Sequence, residues 1–303
     1  MESDKLAYLY VIIGASLWGI IGIFIERLDA AGFTSLQIVT LRVVTAAVLL
    51  TLYLAVRHPE ALKIEGRDFF LFAGTGIVSI VFFNWCYFSA IKEVSLSIAV
   101  ILLYTGPSFV VLISAFLLGE RITKVKAISI LLTFTGCVLV IRLFPLAYDT
   151  ITAYGLLLGL GSGLGYALYS IFGKMALKRY SPVTVITYTF IFASAALLPT
   201  SGITIEISTL ARSGVLLNIA GLGLFPTVIA YMLYTRGLDM IESGRASISA
   251  TFEPLVATLV GILLFEEVLT IYQVIGMLLI IGAVILIQME KDTEAEVSPA
   301  ELK

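Results

Sequence analysis

Charged residues are scarce in this sequence of 303 residues, where they make up only 13%. A soluble domain carries about 25% of them. Apolar residues make up 59%, and the mean hydropathy is +1.05. Because such a chain lacks the polar surface that keeps a fold in water, we predict an integral membrane protein. The net charge of -2 provides no basic surface, so a nucleic acid is not expected as a partner.

Residues that serve metal or acid–base chemistry are scarce as well. The single histidine, His58, precedes Pro59 in a predicted loop, and the two cysteines, Cys86 and Cys137, lie in apolar runs. The aspartates all fall at predicted helix ends or in tails, and neither an H-E-x-x-H motif nor a G-x-x-x-x-G-K-[ST] loop occurs. We therefore expect no enzyme, no metal site, no cofactor and no direct use of ATP.

Ten apolar stretches of roughly 20 residues, the length that spans a membrane, are bounded by charge, glycine or proline. They cover residues 6–25, 36–56, 68–91, 96–118, 124–141, 154–176, 182–200, 214–235, 246–265 and 271–289. The first stretch follows no basic leader, so we expect a retained helix rather than a signal peptide. The predicted fold class is an all-α integral membrane protein with ten transmembrane helices.

Lysine and arginine are distributed unevenly over the predicted loops. If both termini lie on one side, that side holds fourteen of them and the other side holds four, with Arg42 inside a span. Positive loops face the cytoplasm, so we expect a multi-pass protein of the cytoplasmic (inner) membrane with both termini inside. The polar tail, 290–303, is predicted to be disordered there.

The two halves of the chain are related by a shift of 147 positions. The stretch GPSFVVLISAFLLGERIT, residues 106–123, aligns with EPLVATLVGILLFEEVLT, residues 253–270, and pairs Pro107 with Pro254 and Glu120 with Glu267. We predict two five-helix repeats, 6–142 and 153–289. Five is an odd number, so the second repeat must be inverted in the membrane. Inverted repeats are typical of secondary transporters, which bind substrate near the midplane and expose it to each side in turn.

Short motifs in the same order as the spans resemble those of a known family. The residues that carry the resemblance are Trp18-Gly19, Arg42, Pro107, Gly119-Glu120, Glu253-Pro254 and Glu267. On these residues the chain resembles the EamA branch of the drug/metabolite transporter superfamily over nearly its whole length. One difference is Phe265-Glu266-Glu267, where the family more often has glycine before the glutamate. The resemblance implies a carrier of small organic metabolites such as amino acids or amines, often an exporter.

Two charged residues inside predicted spans are candidates for the substrate site. Glu253, about 10 Å deep and just before the helix-kinking Pro254, suits a cationic group or a transported proton, or alternatively bonds to freed backbone groups. Arg42 lies about 9 Å below the opposite surface. It is expected to extend its head to water, to pair with Glu26 or Glu267 as a gate, or to hold a substrate carboxylate. Direct pairing with Glu253 is not expected from these depths.

An aromatic and lightly polar pocket is predicted around these charges. Its candidate residues are Trp18, Asn84, Trp85, Tyr104, Thr105, Tyr166, Tyr169, Tyr231, Ser249 and Thr251. Aromatic faces attract ammonium groups, which favours a cationic or zwitterionic substrate, although each residue alone fits ordinary packing equally well. The pairs Glu120/Glu267 and Pro107/Pro254 are predicted to be structural or gating residues. Thr270 with Gln273 has the spacing of a capping box.

Several alternatives remain open at this point. The protein could import a cationic or zwitterionic metabolite, or flip a lipid-linked substrate across the bilayer. A channel and a membrane-embedded enzyme fit less well, because neither a ring of equivalent charges nor a catalytic cluster occurs. The predicted partners are a small-molecule substrate and membrane lipid, and the choice between a proton, a counter-solute and no coupling partner is open.

Overall fold

The computed structural model describes residues 2–94, 96–141, 152–203, 214–265 and 268–290, and these residues form helices without any strand. The helices are α1 (Asp4–Ala30), α2 (Ser35–Arg57), α3 (Gly66–Glu93), α4 (Leu96–Leu117), α5 (Lys124–Val140), α6 (Ala153–Leu177), α7 (Pro182–Thr200), α8 (Val215–Met240), α9 (Ser243–Leu264) and α10 (Ile271–Met289). The predicted all-α membrane fold is confirmed.

Nine helices within the described ranges are long and apolar enough to cross a membrane. The remaining predicted span corresponds to α5, which has 17 residues. Residues 142–151, which follow it, are not among the described residues. Both α1 and α8 extend about a turn beyond the predicted ends, so that Arg27 and Arg236 lie inside helices. Glu267 and residues 291–303 of the predicted tail, 290–303, lie outside the described residues.

Equivalent helices in the two halves of the chain begin with equivalent hydroxyl N-caps. The Thr34 and Ser181 hydroxyls, which are related by the shift of 147, cap α2 and α7. The equivalent pair Thr123 and Thr270 caps α5 and α10. Thr270 also forms the predicted capping box with Gln273, each accepting the other's backbone N–H.

Two equivalent helices, α4 and α9, are interrupted at equivalent points. In α4 the first segment ends at Leu103 and the second begins at Gly106; in α9 the first ends at Ala250 and the second begins at Glu253. A proline follows the first residue of each second segment, and proline removes a backbone donor and clashes with the preceding turn. Both breaks lie near the middle of their helices.

The antiparallel pair α5 and α10 shows how the repeats are related. Ser129 Oγ in the first half of α5 donates to the Ala283 carbonyl in the second half of α10, at 3.4 Å. Further along, Gly136 and Gly276 approach so closely that a Cβ on either would lie 2.6–2.7 Å from the other's carbonyl oxygen. The shift of 147 relates Ser129 to Gly276 and Gly136 to Ala283, so the two contacts become each other when the repeats are exchanged. Equivalent antiparallel helices related in this way fit an inverted repeat.

The other eight helices form two bundles, each drawing helices from both repeats. Bundle A contains α1, α2, α8 and α9, and bundle B contains the equivalent helices α6, α7, α3 and α4. Glycines mediate the close packing: Gly14 of α1 lies on the α8 backbone at Ala230, and Gly165 of α6 lies on the α3 backbone at Phe83. The bundles also pack together along α2 and α7.

The two ends of the chain lie at the same face of the protein. Tyr8 near the start of α1 donates to the carbonyl of Ile287 near the end of α10, at 3.2 Å. We call this side the terminal face and the opposite side, where α1 ends and α2 begins, the far face. The loop between α2 and α3 and the turn between α6 and α7 both lie at the terminal face.

Candidate substrate-binding site

A cavity of about 220 Å³ lies between bundles A and B. The residues predicted for the pocket that do line it are Trp18, Asn84, Tyr104, Tyr166, Tyr231, Thr251 and Glu253, together with Arg42 and Pro107. The remaining lining residues are apolar or aromatic, and they include Ile21 and Ile25 from α1 and Tyr87 and Phe88 from α3. The lining residues lie in the middle of their helices or in the half nearer the far face.

The floor of the cavity is a cluster of aromatic rings. Trp18 and Tyr231 meet edge to face with ring centroids 5.1 Å apart, and Tyr231 also meets the edges of Tyr169 and Phe190 at the same centroid separation. The Trp18 Nε1 donor is buried and has no hydrogen-bond partner in the described structure. An indole donor and several ring faces are therefore available to a ligand.

Glu253 lines the cavity at the first residue of the second segment of α9. A helix N-terminus stabilises negative charge through its free N–H groups and dipole. The Glu253 carboxylate makes no hydrogen bond or ion pair with the described residues. The alternative that it bonds to backbone groups freed by Pro254 therefore has no support here. The break brings a carboxylate into the cavity without a direct ion pair to a described residue.

Arg42 lines the same cavity as Glu253, so the two predicted site charges share one site. Only 8% of Arg42 is exposed, so it does not extend its head to water as expected for a snorkelling residue. Its Nε is buried without a hydrogen-bond partner, and it makes no direct ion pair with Glu253 or Glu26. The expected gate pair with Glu267 involves a residue outside the description.

Four of the predicted pocket residues lie outside the cavity. Trp85 is 55% exposed on the outer surface of α3, and Ser249 is buried in the first segment of α9. Thr105 Oγ1 donates to the Leu102 carbonyl at 2.5 Å in the break of α4. Tyr169 lies directly beneath the cavity, where it borders a small void of about 20 Å³.

The space between the bundles is closed on the side of the terminal face. Below Trp18 and Tyr231, Tyr169 Oη and Thr235 Oγ1 are 2.6 Å apart, and Ser170 Oγ and Tyr234 Oη are 2.7 Å apart. Both hydrogen bonds link α6 of bundle B to α8 of bundle A. One turn further on, Lys174 Nζ donates to the Leu238, Asp239 and Ile241 carbonyls at the end of α8.

Glu120 is part of this closure. Its two carboxylate oxygens accept the backbone N–H groups of Ser243 and Gly244, at 2.6 and 3.0 Å, at the start of α9. The buried Lys126 lies 4.0 Å from Glu120 and pairs with Glu242 at 2.8 Å. Glu120 therefore caps a helix of the other bundle, which is the structural one of the two roles that the sequence left as alternatives.

A second polar cluster at the terminal face was not predicted. Arg179 Nη1 donates to both Asp68 oxygens at 3.1 Å, and Tyr180 donates to Asp68 Oδ2 at 2.7 Å. The hydrogen bond to Asp68 raises the pKa of Arg179. This cluster fastens the start of α3 to the turn between α6 and α7, and these three helices all belong to bundle B. Such a long-range pair leaves no local signal in the sequence.

Tyr87 is the cavity residue that a closer sequence analysis could have found. Asn84, Tyr87 and Phe88 are spaced i, i+3 and i+4, so they share one face of α3. Trp85 falls on another face of the same helix. The polar Asn84 marks the inward face, and the helical period then predicts Tyr87 and excludes Trp85.

Comparison with known proteins identifies relatives over the whole chain. The model of the EamA-like transporter family matches twice, at residues 5–142 and 153–289. An uncharacterized transporter of Archaeoglobus fulgidus is 31% identical over 280 residues, which cover 91% of this chain and 94% of the relative. The uncharacterized inner membrane transporter YicL of Salmonella typhimurium is 24% identical over 302 residues, covering 97% of this chain and 99% of the relative.

A solved crystal structure that is 21% identical superposes with a TM-score of 0.76, covering 92% of this chain and 95% of the other. Apolar helices around a central cavity, a solved neighbour of the same fold and relatives that are named transporters together define a multi-pass membrane transporter. The chain belongs to the EamA-like transporter family. The family resemblance noted from the sequence is thereby confirmed.

Proposed function

We propose that this protein is a secondary transporter that moves a small organic metabolite, such as an amino acid or an amine, across the cytoplasmic membrane by alternating access. We further propose that it works as an exporter, with both termini in the cytoplasm. The uneven distribution of lysine and arginine supports this orientation. The two units 6–142 and 153–289 are proposed to be the inverted halves.

The observation that carries the proposal is the pair of unpartnered charges in one aromatic cavity. Arg42 and Glu253 both belong to bundle A, and neither makes an ion pair with described residues. A buried charge without a partner is costly, and in a membrane helix it usually serves a substrate or an ion. A ligand with a carboxylate and an ammonium group would supply a partner to each charge.

The opposite wall supports a ligand of moderate size with an apolar part. Bundle B contributes Asn84, Tyr87, Tyr104 and Tyr166 to the cavity, and no charged residue of this bundle lines it. Ring faces and phenol hydroxyls bind ammonium groups and apolar side chains alike. A substrate that touches both walls would couple its own binding to the approach of the two bundles, which alternating access requires.

Transport by the purified protein in liposomes tests this proposal. A panel of free amino acids should be offered, each matched with its carboxamide and with the acid that lacks the amino group. We expect counterflow of at least one free amino acid or amine, and a loss of at least tenfold in Glu253→Gln. Glu26→Gln is the matched control, because Glu26 is exposed near the far face and does not line the cavity. Absence of any movement across the panel would refute the proposed substrate class.

The direction of transport needs a separate measurement. Everted membrane vesicles, whose outer surface is the cytoplasmic one, should accumulate the solute if the protein is an exporter. Uptake by intact cells alone would instead favour the importer.

A further inference from the structure

Lys174 closes the terminal side by binding the end of a helix from the other bundle. Its Nζ donates to the carbonyls of Leu238 at 2.7 Å, Asp239 at 3.2 Å and Ile241 at 2.9 Å, where α8 ends. The last carbonyls of a helix have no partner inside the helix, and the helix dipole favours a cation there. The contact therefore needs only a cation on α6 and a bare helix end on α8.

Both requirements recur at the equivalent positions of the other repeat. The shift of 147 converts Lys174 of α6 into Arg27 of α1, so the cation is retained. The same shift converts the three acceptor residues into Ile91, Lys92 and Val94 of α3. It also maps the end of α8, Met240, onto the end of α3, so the equivalent carbonyls terminate a helix as well.

The equivalent surfaces are apart in this structure. Arg27 is exposed near the far face, and the cavity separates α1 from α3. Tyr87 and Phe88 of α3 line this cavity, whereas the equivalent residues of α8, Tyr234 and Thr235, form the hydrogen bonds that close the terminal side. One pair of equivalent surfaces is closed while the other pair is open.

We propose that Arg27 is the far-side gate residue and docks onto the carbonyls of Ile91, Lys92 and Val94 when the cavity opens to the terminal face. This inference rests on the proposed alternating access, because it assigns the contact to the second state of the carrier. Docking of Lys174 closes the terminal side and docking of Arg27 closes the far side, so the two contacts form in alternative states. Loss of the Lys174 contact favours closure at the far face, and loss of the Arg27 contact opposes it.

Thiol labelling of a cavity residue measures this competition. Ile21 lines the cavity, and the native cysteines, Cys86 and Cys137, are first replaced by alanine. The rate at which a membrane-impermeant maleimide on the far side labels Ile21→Cys then reports the fraction open to that side. We expect Lys174→Gln to lower this rate about tenfold, because it shifts the equilibrium toward the state closed at the far face. Adding Arg27→Gln to that variant should return the rate to within about twofold of the starting protein.

Two further variants separate charge from structure. Arg27→Lys in the Lys174→Gln background keeps the cation and should leave the labelling rate low. Lys124→Gln is the control for Lys174, because Lys124 is exposed at the terminal face and does not line the cavity that Lys174 and Glu120 share. It should leave the labelling rate unchanged.

The outcomes distinguish the gate from the transport mechanism. If Lys174→Gln lowers labelling and Arg27→Gln fails to restore it, the far-side gate is refuted and alternating access stands. If Leu103→Cys, a cavity residue whose repeat equivalent Ala250 also lines the cavity, is never labelled from the terminal side in any variant, alternating access itself fails. If labelling proceeds from both sides at undiminished rates at the same time, the protein is a channel and both proposals fail.

Discussion

Replacing Arg42 by methionine should stabilise the protein while it removes the recognition of one substrate group. Methionine has a similar length and no charge, so it keeps the packing of α2. Arg42 is 8% exposed and its Nε has no hydrogen-bond partner in the described residues. A buried polar group without a partner costs about 1–3 kcal/mol, and more when it is charged. Glu253 shares the cavity and offsets part of this cost by attraction across it. We therefore expect a gain in the free energy of unfolding near the lower end of that range, about 1 kcal/mol.

Ligand binding should change in the opposite direction. A hydrogen bond to a charged group contributes about 1.5–3 kcal/mol, so Arg42→Met should weaken binding of a free amino acid by roughly tenfold to a hundredfold. Binding of the matched carboxamide, which carries no negative charge, should change by less than about threefold. Thermal unfolding in detergent with and without ligand measures both effects. Arg57→Met is the control, since Arg57 is exposed at the other end of α2.

The stability and binding measurements together distinguish a substrate-binding role of Arg42 from a purely structural role. A purely structural arginine would lower the unfolding temperature when replaced, and it would weaken all ligands alike. A less stable Arg42→Met protein that still prefers the free acid over the carboxamide would refute the assignment.

Two more predictions concern the scaffold. Gly136→Ala should destabilise the protein and separate α5 from α10, because the new Cβ would lie 2.7 Å from the Gly276 carbonyl oxygen; Gly282→Ala, with open space around it, should leave the unfolding temperature unchanged. An equal effect of both alanines would contradict the packing. Asp68→Asn should lower the unfolding temperature, since it weakens the paired hydrogen bonds from Arg179. Unaltered unfolding would show that the cluster does not hold bundle B together.

Much of the fold could be predicted because a membrane imposes simple rules on the backbone. Every backbone polar group in lipid needs a partner within the chain, so a long apolar run must be a helix. The spacing of Thr270 and Gln273 predicted a capping box, and the structure has it. The duplicated GP and EP motifs marked the two helices that break. Each of these signals depends only on residues that are neighbours in the sequence, so the sequence alone can reveal it.

The positions of charged residues along their membrane helices were predicted less accurately than the helices themselves. Hydropathy placed Glu242 and Arg245 in a loop, yet they lie at the start of α9 and pair with each other at 3.2 Å. Because a paired charge is tolerated in a helix, charge alone misplaced the helix boundary by several residues. The revised start moves Glu253 toward the middle of α9, into the cavity that also contains Arg42.

The second source of error was the direction in which aromatic side chains point, either toward lipid or toward the cavity. In a soluble helix, the polar face identifies the apolar face that packs inward. In a membrane helix, lipid and protein interior are both apolar, so Trp85 on the outside and Tyr87 in the cavity look alike. Only the neighbouring polar residue, Asn84, breaks this symmetry. Contacts between distant helices, such as Asp68 with Arg179, leave no such mark.

The most direct test of the two-bundle carrier is the accessibility of one residue in the cavity from each side of the membrane. Leu103 ends the first segment of α4 and lines the cavity. In a chain without native cysteines, Leu103→Cys should react with an impermeant thiol reagent applied from either side, and a transported solute should slow both reactions. Reaction from one side only, unaffected by any solute that the protein transports, would contradict the account.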